Sequence, residues 1–172
     1  MRLLALCLTV VTLLIGTLPA WAEPTRQVCF TPGEDCTGLI VRTIAGAANQ
    51  IRVQAYSFTS APIAKALADA ERRGIDVRVI LDKSQASARY TGATYLVHAG
   101  VPVSIDDKVA IAHNKVMVID GQTVITGSFN FTKAAQEKNA ENLLVIRDSD
   151  LAQQYLANWQ ARAAVSRPYK RD

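Results

Sequence analysis

Hydrophobic and polar positions follow two periods along this chain, and the period changes where glycine, proline or a capping residue stands. Leu39 to Ala48 carries apolar residues at helical spacing, and the segment from Ile51 to Phe58 alternates as a half-buried strand does. Ser60 is placed to cap a helix over Ala61–Arg73 that Gly74 ends, and Ile75–Leu81 returns to period two with Asp82 at its end. A helix from about Ser87 to His98 stops at Gly100, and Val101–Ile105 follows as a short strand that Pro102 assigns to the edge of a sheet. Two further strands flank Asp120-Gly121, a favoured two-residue hairpin turn. Phe131–Lys138 reads as a short helix or loop, Glu141–Arg147 as a strand, Ser149 to about Ala164 as a helix, and Arg167–Arg171 as a basic, frayed end. Strands alternating with helices imply an α/β fold, a mixed β-sheet flanked by helices on both faces in an α/β/α sandwich.

The first residues change the picture of where this domain works. Met1-Arg2, a leucine-rich run and Ala20-Trp21-Ala22 supply the positive end, apolar middle and small-residue cleavage site of a secretory signal. Residues 1–22 are therefore expected to be cleaved, leaving 23–172 as a single domain, periplasmic or secreted and without stable membrane association. A retained anchor is the competing reading, but Thr17 and Pro19 interrupt a run that would need roughly 20 apolar residues to span. Cleavage removes Arg2, so 18 lysines and arginines then face 15 acidic residues, a net charge of +3. That mild excess suits a polyanionic partner but is far from a histone-like tail. Cys29 and Cys36 remain, separated by a Pro32-Gly33 turn, and export predicts that they form a disulfide. With His98 and His113 the only histidines and no paired ligand spacing, a metal site is not expected.

The densest chemistry lies between His113 and Asn130, where an imidazole, an ammonium, a hydroxyl and an amide share one short span. Residues two apart on a strand share a face, so His113 and Lys115 point the same way. A two-residue turn at Asp120-Gly121 would set Ile119 opposite Gln122, Lys115 opposite Thr126 and His113 opposite Ser128, with Asn130 one step further. Val116, Val118 and Ile125 would then face the core together. One extra residue in the turn would shift this register.

His113-x-Lys115, four residues, Asp120, six residues and Gly127-Ser128-x-Asn130 match the HKD signature at every position, so the chain resembles the phospholipase D superfamily. Ala55–Thr59, the helix around Ile63–Leu67, Gly74–Asp82 and Glu141-Asn142 resemble the rest of that family's core. Most members carry two HKD motifs in one chain, whereas a single motif resembles the bacterial Nuc-type endonucleases, completed by homodimerisation. The resemblance implies a phospholipase D-like fold, phosphodiester hydrolysis, no cofactor and no metal.

Chemistry asks for a dimer independently, because a covalent route needs a nucleophile and a separate acid for the leaving oxygen, and one imidazole cannot serve as both at once. A two-fold axis through the site would bring two copies of His113 together, while His98 reads as a surface or packing residue. Lys115, Ser128 and Asn130 would hold the non-bridging phosphate oxygens. Glu141 is expected, by resemblance, to orient a His113 ring, in its own chain or the partner's. Asp120 reads as a turn residue. Gly127 admits either a close approach of backbone to phosphate or a bulge. Tyr56 and Phe58 read as core rather than as base-stacking platforms. Three functions follow: a sequence-nonspecific nuclease of DNA or RNA, a phospholipase for headgroup diesters, and a non-catalytic nucleic-acid-binding module.

Overall fold

A computed structural model describes residues 24–86 and 92–170. The expected signal segment and residues 87–91 of the expected Ser87–His98 helix lie outside these. In chain order the elements are β1 (Thr25–Thr31), α1 (Cys36–Ala45), β2 (Gln50–Ala55), α2 (Ala61–Arg72), β3 (Asp76–Asp82), α3 (Gly92–His98), β4 (Val103–Asp106), β5 (Lys115–Ile119), β6 (Thr123–Gly127), α4 (Lys133–Glu137), β7 (Glu141–Arg147), α5 (Ser149–Val165) and β8 (Arg167–Pro168). The strands form one mixed sheet in the order β1-β7-β6-β5-β2-β3-β4-β8. β2, β3 and β4 run parallel through helical crossovers, while β5, β6, β7 and β1 run antiparallel.

Both faces of the central strands are covered, so each strand buries residues of both parities. On one face Ile51, Val53, Met117, Ile119, Ile125 and Leu143 pack with residues of α1, α2, α3 and α4. On the other, Val116, Val118 and Val124 pack against Ala152, Leu151, Tyr155 and Leu156 of α5. Two buried polar contacts fix α5 there: Trp159 Nε1 donates to the Val53 carbonyl at 3.0 Å, and the Arg162 guanidinium grips both oxygens of Asp106 at 2.6 and 2.7 Å.

Four expectations need correction. Gln122 N–H donates to the Ile119 carbonyl, closing a turn at Asp120-Gly121, but the ladder pairs Ile119 with Thr123. Gln122 is thus an extra residue, and every cross-strand partner moves by one. Ile125 consequently lies on the opposite face from Val116 and Val118. β1 was not among the expected strands; it pairs with β7 along its whole length, and the disulfide joins its Cys29 to Cys36 at the start of α1, with Cα atoms 5.6 Å apart. The end of the chain is tied down, because Arg167-Pro168 pairs with β4 and the Tyr169 amide donates to the Val103 carbonyl. Edge strand β4 therefore has a neighbour, although a pairing of two residues is a short one.

Candidate active site

β2 ends, β5 begins, β6 ends and β7 begins at the same edge of the sheet, which collects His113, Lys115, Ser128 and Glu141 there. Asp82 anchors the approach. It is buried at the end of β3 and accepts from the Ser84 amide at 2.9 Å and from the Ala112 amide at 2.7 Å, holding the segment that leads into His113. Burial works to raise its pKa, but the Ser84 amide and hydroxyl and the Ala112 amide outweigh this and leave it lowered.

Lys115 is a buried ammonium, and its Nζ donates to the His113 carbonyl at 2.8 Å. The same nitrogen lies 3.0 Å from Nδ1 and 3.1 Å from Nε2 of His113. A neutral imidazole has one in-plane lone pair, so these two distances describe an ammonium lying against the ring rather than two hydrogen bonds. Desolvation disfavours the charged form and lowers the Lys115 pKa, while the negative charge of Glu141 pulls the other way.

Tyr56 completes this cluster. Its amide donates to the Asn114 carbonyl at 2.9 Å, extending the pairing of β2 with β5 by one step. Its ring lies 4.6 Å from the His113 ring at a tilt of 54°, and Lys115 Nζ lies 5.3 Å from its centroid. The expectation of a core residue is therefore corrected for Tyr56, which is half-buried in the site, whereas Phe58 is fully buried.

Gly127 takes φ +146°, and a Cβ there would meet the Asn142 carbonyl oxygen at 2.3 Å. Its close neighbour is thus the chain itself: the amides of Ser128 and Phe129 both donate to that carbonyl, at 3.1 and 3.2 Å. Phe129 and Phe131, fully buried, pin the loop between Ser128 and Asn130 from beneath. Ser128 Oγ donates to Glu141 Oε2 at 2.5 Å and accepts from the Asn142 amide at 3.1 Å. Glu141 also accepts from Asn139 Nδ2 at 2.8 Å. Within one chain Glu141 is therefore held by Ser128 and Asn139 and makes no hydrogen bond to His113. Asn130 is half-buried, and its Oδ1 is buried without a partner among the described residues. Asn139 carries no spacing that would have marked it in advance, and Asn142 was marked by resemblance alone, beside Glu141; the place of both follows from the chain reversal that begins β7.

Asp120 sits at the far end of β5, roughly 15 Å from Lys115 at the rise of an extended strand. It adopts φ 55° and accepts the amides of Ala48, Asn49 and Gln50 at 2.9, 2.8 and 2.9 Å. Burial opposes its ionised form, and these three donors more than compensate, so its pKa is lowered. His98 is exposed at the end of α3 and hydrogen-bonds no residue of the site.

Comparison with known proteins agrees with this arrangement. A family model described as cardiolipin synthase, PLD-like domain matches residues 40–162. The phospholipase D of Rickettsia conorii is 46% identical over 138 residues, 80% of this chain and 69% of the relative. Nuc from Salmonella typhimurium, a phospholipase D family member, superposes with a TM-score of 0.83 at 40% identity, covering 87% of this chain and 100% of that one. NucT from Helicobacter pylori superposes with a TM-score of 0.80 at 26% identity over 86% of this chain and 100% of that one. A polar cluster built on this sheet edge, in a chain matched over most of its length, identifies the protein as a phosphodiesterase of the phospholipase D superfamily.

Proposed function

We propose that the chain is a metal-independent, sequence-nonspecific endonuclease of DNA, with RNA as an alternative polymer, whose site is completed by a second copy. The observation that carries this reading is a single exposed imidazole set against a buried ammonium, with the remaining histidine outside the site. One His113 attacks phosphorus, the P–O bond to the leaving oxygen breaks, and the partner's His113 supplies that oxygen's proton. Water then attacks the phosphohistidine, giving its proton to the partner's now neutral His113 and restoring both imidazoles. Lys115 faces the charge that builds on the non-bridging oxygens, and Ser128 and Asn130 add uncharged contacts. Glu141 of either copy supplies the carboxylate that orients an imidazole. Likeness to Nuc and NucT and the mild positive charge favour a polynucleotide, bound mainly through its phosphates. In this reading the enzyme works outside the cytoplasm after removal of residues 1–22, which predicts an exported chain beginning at Glu23.

A phospholipase reading is favoured by one fact, that the Rickettsia relatives are named phospholipase D. Purified protein is therefore incubated in EDTA with plasmid DNA, with phosphatidylcholine vesicles and with cardiolipin vesicles. Cleavage of DNA alone, abolished in His113→Ala, is expected. Release of headgroup without DNA cleavage would establish the lipid enzyme instead, and a His113→Ala protein as fast as wild type would remove the imidazole from the reaction.

A further inference from the structure

Between the starts of α2 and α3 lies a cavity of about 330 Å³, with apolar walls supplied by Ala61 and Ala64 of α2 and by Gly92 and Tyr95 of α3. Tyr95 is 47% exposed, so part of its ring is open to a ligand. The cavity is built on the aromatic pair that also supports the site. Phe58 meets Phe131 edge to face, with ring centroids 6.4 Å apart at 84°. A Cβ on Gly92 would strike the Phe58 ring at 2.2 Å, so glycine lets α3 begin directly on it. The amides of Thr59 and Ser60 both donate to the Phe131 carbonyl, at 3.0 and 2.9 Å, next to Asn130. Tyr56, which rests on His113, is three residues before Thr59, no more than roughly 10 Å along an extended chain. A duplex strand covers that distance in about three steps of 3.4 Å.

Open donors stand where α2 meets this cavity. Ser60 occupies the position before the helix, yet its side chain caps nothing. It is 3% exposed and lines the cavity, and its hydroxyl bonds no other described residue. Its oxygen, unlike Oδ1 of Asn130, is not sealed off without a partner, so what remains accessible of Ser60 opens into that space. Pro62 has no amide to offer, and the amides of Ala61 and Ile63 in the first turn find no acceptor among the described residues. The positive end of the α2 dipole adds to them. The cation on the lining, Lys65, is exposed and held by Asp69 at 2.7 Å.

These features select among ligands. A phosphate would ask for a free cation, and Lys65 is already paired. An acyl chain would leave the Ser60 hydroxyl and the open amides without partners once water is expelled. A nucleobase satisfies both ends, because its flat faces suit the apolar walls and the Tyr95 ring while its edge carries acceptors whichever base it is. We propose that this cavity receives a nucleobase of the bound strand, a few nucleotides from the phosphate at His113, with Tyr95 as its stacking partner and Ser60 as its hydrogen-bond donor. The inference rests on the nuclease reading and names where the enzyme grips its substrate beyond the phosphates. A hydroxyl both donates and accepts, so the contact adds affinity without choosing a sequence.

The test gives purified protein two single-stranded oligonucleotides of equal length, one with a base on every sugar and one built of abasic tetrahydrofuran units that keep every phosphate. Wild type is expected to favour the base-bearing strand by roughly tenfold or more in kcat/KM, through a lower KM. Tyr95→Ala should bring that ratio close to one, Tyr95→Phe should keep it, and Ser60→Ala should lower it roughly threefold. Tyr95 is half exposed and the Ser60 side chain caps nothing, so each variant should keep the circular dichroism of wild type. Equal cleavage of both strands by wild type would overturn the subsite and leave the nuclease reading standing. A preference that Tyr95→Ala preserves would place the base elsewhere and refute the inference as well. Failure to cleave either strand would overturn the nuclease reading and the subsite together. Release of headgroup from cardiolipin vesicles that falls in Tyr95→Ala, with neither strand cut, would assign the cavity to an acyl chain instead.

Discussion

Replacing Asp120 by asparagine separates holding the fold from performing the chemistry. The carboxylate accepts three amides, two on Oδ1 from Asn49 and Gln50 and one on Oδ2 from Ala48. Asparagine keeps one oxygen for the first two but sets an N–H₂ against the Ala48 N–H, so a charge-assisted bond becomes a donor facing a donor. Losing such a bond costs about 1–3 kcal/mol. The backbone adds little, because asparagine tolerates the positive φ of 55° found here. At roughly 2–4 °C per kcal/mol for a domain of this size, Tm should fall by about 2–12 °C. The Asp120 pKa is lowered by folding, so its contribution is complete above the ordinary carboxylate range and disappears as pH falls through the folded value. The difference in Tm between wild type and D120N should accordingly be full at neutral pH and shrink in acid. Since Asp120 lies at the far end of the strand from the site, kcat/KM of the folded variant should stay within about twofold of wild type. An unchanged Tm together with a hundredfold loss of kcat/KM would refute this assignment.

Tyr56→Phe should retain activity, because it keeps the ring that contacts His113 and Lys115, whereas Tyr56→Leu should lower kcat about tenfold with little change in KM. Joint replacement of Cys29 and Cys36 by serine should cost about 2–3 kcal/mol for so short a loop, measured as a lower denaturation midpoint, with kcat unchanged. Gly127→Ala should reduce both stability and activity, because its methyl group meets the Asn142 carbonyl that holds the Ser128 loop in place.

The order of strands and helices was readable from periodicity where an element keeps its period, as in α2, whose buried Ile63, Ala64, Leu67 and Ala68 recur at helical spacing, and at the start of β3, where buried Val77 and Val79 alternate with exposed Asp76 and Arg78; glycine, proline and capping residues marked the boundaries of the rest. Register was not, since a single bulged residue, Gln122, changes every cross-strand partner without disturbing the alternation on either strand. Face assignment failed for a related reason: β5 is buried on both sides, so Val116 and Met117 look equally like core. β1 escaped notice because five of its seven residues are exposed, an edge strand with little apolar pattern to read. Of the site, His113, Lys115 and Ser128 stood out by spacing. Tyr56, Asn139 and Asn142 did not, because β2, the turn before β7 and the hairpin meet only in three dimensions.

Titrating wild-type protein with His113→Ala protein under conditions that allow subunits to exchange tests most directly whether one site is shared by two copies. If catalysis requires both imidazoles, a ninefold excess of the variant leaves each wild-type chain paired with a wild-type partner about one time in ten, and activity per wild-type chain falls to about a tenth. Activity per wild-type chain that stays constant across the titration, with mixed dimers demonstrated by mass, would contradict the shared site.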